Sequence, residues 1–128
     1  MPVALRRLPL WVWWIPVVWI ASFPIGLTAD PPQWHRISLV PFTDPADKIL
    51  DLGVNLLMFI PFGYSFAARP GGLLRLMAAA ALTSISAELL QLFSTIRYPS
   101  STDVVYAVVG ALIGAAVRLW VVRAREAG

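Results

Sequence analysis

The chain has 128 residues, of which 59% are hydrophobic and only 13% charged, with a mean hydropathy of +0.73. A soluble domain carries nearly twice that share of charge, and the composition points to an integral membrane protein formed as one membrane domain over 1–128. The net charge of +3 is spread over the ends of apolar runs rather than gathered in a patch, which argues against a nucleic-acid partner. With no Cys and one His, His35, the sequence offers no disulfide, thiolate nucleophile or multi-histidine metal site. No metal or cofactor is expected.

The first apolar run follows Arg6 and Arg7 and extends from Leu8 to Leu27, 20 residues without a charge. As a helix it would be roughly 30 Å long, enough to cross a bilayer. Its apolar core is too long for a typical signal peptide, and no convincing small-x-small site precedes Asp30, so an uncleaved helix is expected. Trp11, Trp13 and Trp14 fit an interfacial aromatic belt, with Trp19 deeper. Pro16 and Pro24 should bend or shorten the helix.

Thr28 to Leu50 is a polar connection holding Pro31, Pro32, Pro41 and Pro45, and repeated proline argues against a continuous helix there. The stretch SLVPF (38–42) within it should rest on or dip into the membrane interface. His35 reads as a solvated loop residue.

The second span is expected over about 52–68. Asn55 lies one turn after Asp51, on the same face. Pro61 leaves the Leu57 carbonyl without its usual donor and predicts a kink, while Gly63 permits another backbone to approach closely. Arg69, Pro70, Gly71 and Gly72 predict a tight turn. The third span is expected over about 73–93, with small residues at Ala78 to Ala81 and with Glu88 and Gln91 on one face near its end. The fourth is expected over about 103–122. Gly110 and Gly114 form a GxxxG step, which in an apolar helix means packing, either within the protein or between copies.

Four spans put both termini on one side of the membrane. Arg6, Arg7, Arg69, Arg75, Arg118, Arg123 and Arg125 fall on that side, against Arg36, Lys48 and Arg97 on the other, which predicts cytoplasmic termini. The expected fold is therefore all-α, an integral membrane bundle of four transmembrane helices. This topology gathers Asn55, Glu88, Gln91, Arg97 and Asp103 in the outer half of the membrane, at one depth. An isolated carboxylate at Glu88 would take up a proton, and a nearby Arg97 would hold it ionised. Asp103 would cap the fourth helix.

Two readings of this cluster stand side by side. It is a hydrogen-bonded brace joining three helices, or it is an outward-facing polar site. In the second, Arg97 binds an anionic group such as a lipid phosphate, and Glu88 and Asp103 fix Arg97 or bind hydroxyls or amines of a ligand. A small oligomeric transporter or channel, or an intramembrane enzyme acting on envelope lipids, are the alternatives. Glu88 and Asp103 would form an acid–base pair in principle. The chain nevertheless has no His-backed nucleophile, metal-ligand spacing or Gly-rich phosphate loop, and no residue is assigned a catalytic role.

The order and spacing of SLVPF, NLLMFIPFG (55–63), SAELLQLF (86–93), Arg97, Asp103, Gly110 and Gly114 resemble the VanZ-like family of small bacterial membrane proteins over about 38–117. Asn55, Pro61, Glu88, Gln91, Arg97 and Asp103 fall on the family pattern. Members often carry Asn four residues after the Asp that opens the last helix, where this chain has Ala107. The resemblance implies a multi-pass protein of the bacterial cell membrane. Its founding member is linked to resistance against the glycopeptide teicoplanin. The partners expected are membrane lipids, a lipid-linked cell-wall precursor or a glycopeptide at the outer polar site, and a second copy of the chain through Gly110 and Gly114.

Overall fold

A computed structural model describes residues 9–22, 39, 49–68, 71–91 and 101–128, with the backbone alone at 21–22, 49–51 and 91. Among them are four helices and no strand: α1 (Leu10–Ser22), α2 (Ile49–Phe66), α3 (Gly72–Gln91) and α4 (Ser101–Ala127). Arg97, the side chains of Asp51 and Gln91, the rest of the 28–50 connection and the arginines at 6, 7, 36 and 69 lie outside the described residues.

Each expected span contains one helix, but the bounds differ. α2 starts at Ile49 rather than about 52, which places Asp51 in its first turn. α4 starts at Ser101 and runs to Ala127, five residues past the end of the apolar run expected at 122. Arg123, Ala124, Arg125, Glu126 and Ala127 are strong helix formers, and no Gly or Pro interrupts before Gly128, so helicity outlasts apolarity. Asp103 is the third residue of α4 rather than its cap, and acts on the free N–H groups and dipole from inside the first turn.

Pro61 lies inside α2 and Pro16 inside α1, and neither proline ends its helix. Ala67 N–H closes on the Gly63 carbonyl at 3.0 Å and Ala68 N–H on the Ser65 carbonyl at 3.3 Å. Gly72, with φ +75°, opens α3 in a left-handed conformation that favours glycine.

Helices α2 and α4 make the most extensive contact, and glycine is the reason. A Cβ built on Gly63 would stand 2.6 Å from the Cα of Ala111, one on Gly114 2.7 Å from the Tyr64 nitrogen, and one on Gly110 3.1 Å from the Phe59 Cβ. Backbones at this range gain dispersion contacts that any side chain would prevent. Gly110 and Gly114 pack within the chain, with α2 against that face. The register advances in the same direction on both helices (Leu56 with Gly110, Ile60 with Gly114), so α2 and α4 run parallel.

Helix α1 lies antiparallel to α2. Its Trp11 N–H donates to Ser65 Oγ at 3.0 Å near the end of α2, and Trp14 Nε1–H donates to the Met58 carbonyl. Trp19 Nε1–H donates to Ser86 Oγ at 2.8 Å, pairing the late part of α1 with the late part of α3. The helices thus alternate in direction. Contacts run α1–α2, α2–α4, α4–α3 and α3–α1, with a smaller one between α2 and α3. In cross-section the order is 1-2-4-3. Trp11 and Trp14 thus take part in helix packing, while Trp13 and Trp19 are exposed at 38% and 41%.

The core consists of Val18, Phe59, Phe62 and Leu76 with Ala80, Ala87, Ala107, Ala111 and Ala115. Phe62 stands edge-on to Trp11 with centroids 6.1 Å apart, 5.6 Å from Phe59 and 6.1 Å from Phe66. Outside this core, Leu57, Leu74, Leu82, Ile20 and Trp120 face outward at 65% exposure or more. Two helices, Gly72–Leu90 and Ser101–Ala127, are long and apolar enough to cross a membrane, and only 28% of each apolar window is buried. The described parts of α1 and α2 are apolar but shorter.

Candidate functional site

The inward stripe of α3 reads Leu76, Ala80, Thr83, Ser84, Ala87 and Glu88, all buried, at the three- and four-residue steps of one helix face. Its first half is apolar and its second half polar. On α4 the buried stripe is Thr102, Ala107, Gly110, Ala111, Gly114 and Ala115, with the polar residue at its start. Because α3 and α4 are antiparallel, the polar ends of both stripes fall at the same end of the bundle. The start of α2 lies there too. The interior is thus divided lengthwise, with an aromatic half around Phe59 and Phe62 and a polar half around Glu88 and Thr102.

Glu88 is 8% exposed and Thr102 fully buried. A carboxyl group at that burial is retained only when its polar atoms are met by others, and Glu88, Thr102, Asp103 and Tyr106 are all engaged by neighbouring groups. Asp103 and Asn55 are half-buried. The α2–α4 register sets Leu56 beside Gly110, which puts Asn55 on the order of 8 Å further into the bundle than Asp103 along the helix axes. Asn55 therefore approaches the polar half from deeper within the bundle, and the rim is formed by Glu88, Thr102 and Asp103. Ser101 Oγ is buried without a hydrogen-bond partner among the described residues.

Hydroxyls on α3 divide their work. Thr83 donates to the Ala79 carbonyl at 2.8 Å, and Ser86 donates to the Thr83 carbonyl at 2.7 Å while accepting from Trp19. Binding back to the preceding turn is the usual fate of a hydroxyl in an apolar helix. It leaves Thr83 and Ser86 as poor nucleophiles. Among the described residues, no group of three or more His, Asp or Glu side chains is placed to hold a metal ion.

Ser84, one turn before Glu88 and hence on the same face, and Thr102, a hydroxyl at the start of the fourth helix, are legible in the sequence. Thr83 and Tyr106 are not: neither carries a charge to draw attention. Ala107 is fully buried in the core and adds no polar group.

The sequence profile of the VanZ/LLP1 family covers residues 8–122. The chain belongs to the VanZ/LLP1 family. That match takes in the first helix as well as the 38–117 region in which the motifs lie. No curated protein and no solved structure matches this VanZ/LLP1 chain.

Proposed function

We propose that this VanZ-family protein spans the cell membrane four times with cytoplasmic termini. Its polar end then faces outward and binds the anionic group of a lipid-linked cell-wall precursor or of a glycopeptide. The observation that carries this reading is the burial of Glu88 beside the polar start of α4, at one end of a bundle otherwise coated with apolar side chains. Such a coat on all four helices suits lipid on every side, since soluble monomers seldom expose contiguous apolar area of that extent. The apolar windows of α3 and α4, mostly unburied, are unlike the core helices of a soluble protein. Helices α1 and α2 lie alongside them and share their depth.

Arg97 belongs to the nine-residue connection between α3 and α4 (92–100), and that connection begins and ends at the polar end. In this reading its guanidinium makes a paired contact to the ligand's phosphate or carboxylate. Glu88 and Asp103 orient Arg97 and accept hydrogen bonds from ligand hydroxyls or amines, and Asn55 and Gln91 complete the wall. No covalent step is required, and the role is recognition. Substituting Arg97→Ala and Glu88→Gln in protein that keeps its helix content and expression level tests this reading. Loss of ligand binding in both variants supports it, and binding equal to that of the unsubstituted chain rejects it.

A further inference from the structure

The end of the bundle opposite the polar site is basic. Arg75 lies in the first turn of α3, and Arg118, Arg123 and Arg125 lie in the last ten residues of α4. Glu126 is the one acid among the described side chains there, whereas the other end carries Glu88 and Asp103. Three features fix what this basic end meets. The first is length: α4 has 27 residues, about 40 Å of helix, against a hydrocarbon core of about 30 Å, so its last turns emerge from the apolar layer. The second is depth. The Arg118 guanidinium lies 5.2 Å from the centre of the Tyr64 ring, level with the last turn of α2, where that helix turns back toward α3. The third is the mixture of side chains. Leu119, Trp120 and Val122, all exposed, are interleaved with the arginines. At 100° per residue Arg118 and Arg125 share one side of α4 and Arg123 lies nearly opposite.

Arginines surrounding a helix, with an exposed Trp at the same level, make a collar rather than a one-sided patch. A docked protein covers one side. A layer of lipid headgroups covers all of them, offers phosphate to the guanidinium groups and accepts Trp120 at its lower boundary. We infer that the α4 collar of Arg118, Trp120, Arg123 and Arg125, with Arg75, is a binding surface for anionic phospholipid headgroups of the leaflet opposite the polar site. It rests on membrane insertion but not on any ligand at Glu88, and it would hold the bundle at a fixed depth.

The test uses the full chain reconstituted in mixed vesicles, with spin-labelled phosphatidylglycerol and phosphatidylcholine reporting the lipid shell around the protein. Phosphatidylglycerol should be preferred by about fivefold or more, the size of effect one surface arginine brings, and added salt should reduce it. The exposed double substitution Arg123→Gln with Arg125→Gln should bring the ratio toward one without lowering the melting temperature, while inorganic phosphate lowers the wild-type ratio no more than chloride of equal ionic strength does. Equal association of the two lipids, or full preference in the double variant, overturns the inference. Loss of the preference in phosphate but not in chloride of equal ionic strength assigns the collar to a free anion instead. Flotation of the same vesicles reads insertion separately, and a chain that does not float removes the basis of the inference. Absence of ligand binding at the polar end of the unsubstituted chain, with the lipid preference intact, counts only against the reading of that other end.

Discussion

Gly63 and Ala111 meet backbone to backbone: a Cβ on Gly63 would stand 2.6 Å from the Ala111 Cα. The α2–α4 crossing depends on this contact and on its neighbours at Gly110 and Gly114. Gly63→Ala is expected to destabilise the bundle by about 1–3 kcal/mol through overpacking, and Gly114→Leu by more. Gly53 is the internal control, because nothing lies within 4 Å of the position of its Cβ. Gly53→Ala should stabilise by about 0.5–1 kcal/mol from helix propensity alone. Denaturation followed by Trp fluorescence separates the two.

These glycines also mark how far the sequence could be read. Four apolar runs and the Pro70–Gly71–Gly72 punctuation predict four helices and the turn between α2 and α3, because length and breakers are local properties. The GxxxG step at Gly110 predicts a close crossing for the same reason. Its partner was not legible. α1 and α3 are apolar almost all round, so no periodic face tells which neighbour each prefers, and the 1-2-4-3 order emerges only from contacts far apart in sequence. The polar end was half legible. Glu88 and Asp103 stand out as charges between apolar runs, whereas Thr83 acquires its meaning only from burial.

The indole of Trp14 donates to the Met58 carbonyl, in the turn that Pro61 weakens by removing the donor for Leu57. Trp14→Phe keeps the ring and loses the hydrogen bond, and should cost about 1 kcal/mol, read as a lower denaturation midpoint.

Trp19 and Ser86 form a more exposed link between α1 and α3. In a double-mutant cycle, Trp19→Phe with Ser86→Ala should show a coupling of about 0.5–1 kcal/mol. Zero coupling would mean that the hydrogen bond contributes nothing to holding the two helices.

Phe62 is fully buried and touches three other rings. Phe62→Ala should cost about 3–5 kcal/mol, larger than either Trp substitution, and should broaden the thermal transition as α1 loosens from α2.

Orientation is directly measurable because the chain has no Cys. A single His35→Cys should react with an impermeant maleimide in intact cells, while Gly128→Cys should react only after permeabilisation. The reverse pattern would invert the topology and place the polar end in the cytoplasm.

The central claim concerns the polar end, and binding measures it most directly. The full chain in lipid nanodiscs is titrated with a polyprenyl pyrophosphate and, separately, with teicoplanin, alongside the Arg97→Ala and Glu88→Gln variants at matched melting temperature. The account predicts saturable binding of at least one probe and a loss of about tenfold or more in each variant, as expected when a charge-assisted contact is removed. Absence of saturable binding to either probe, or equal affinity in the unsubstituted chain and both variants, would contradict it and leave Glu88, Thr102 and Asp103 as a brace between helices.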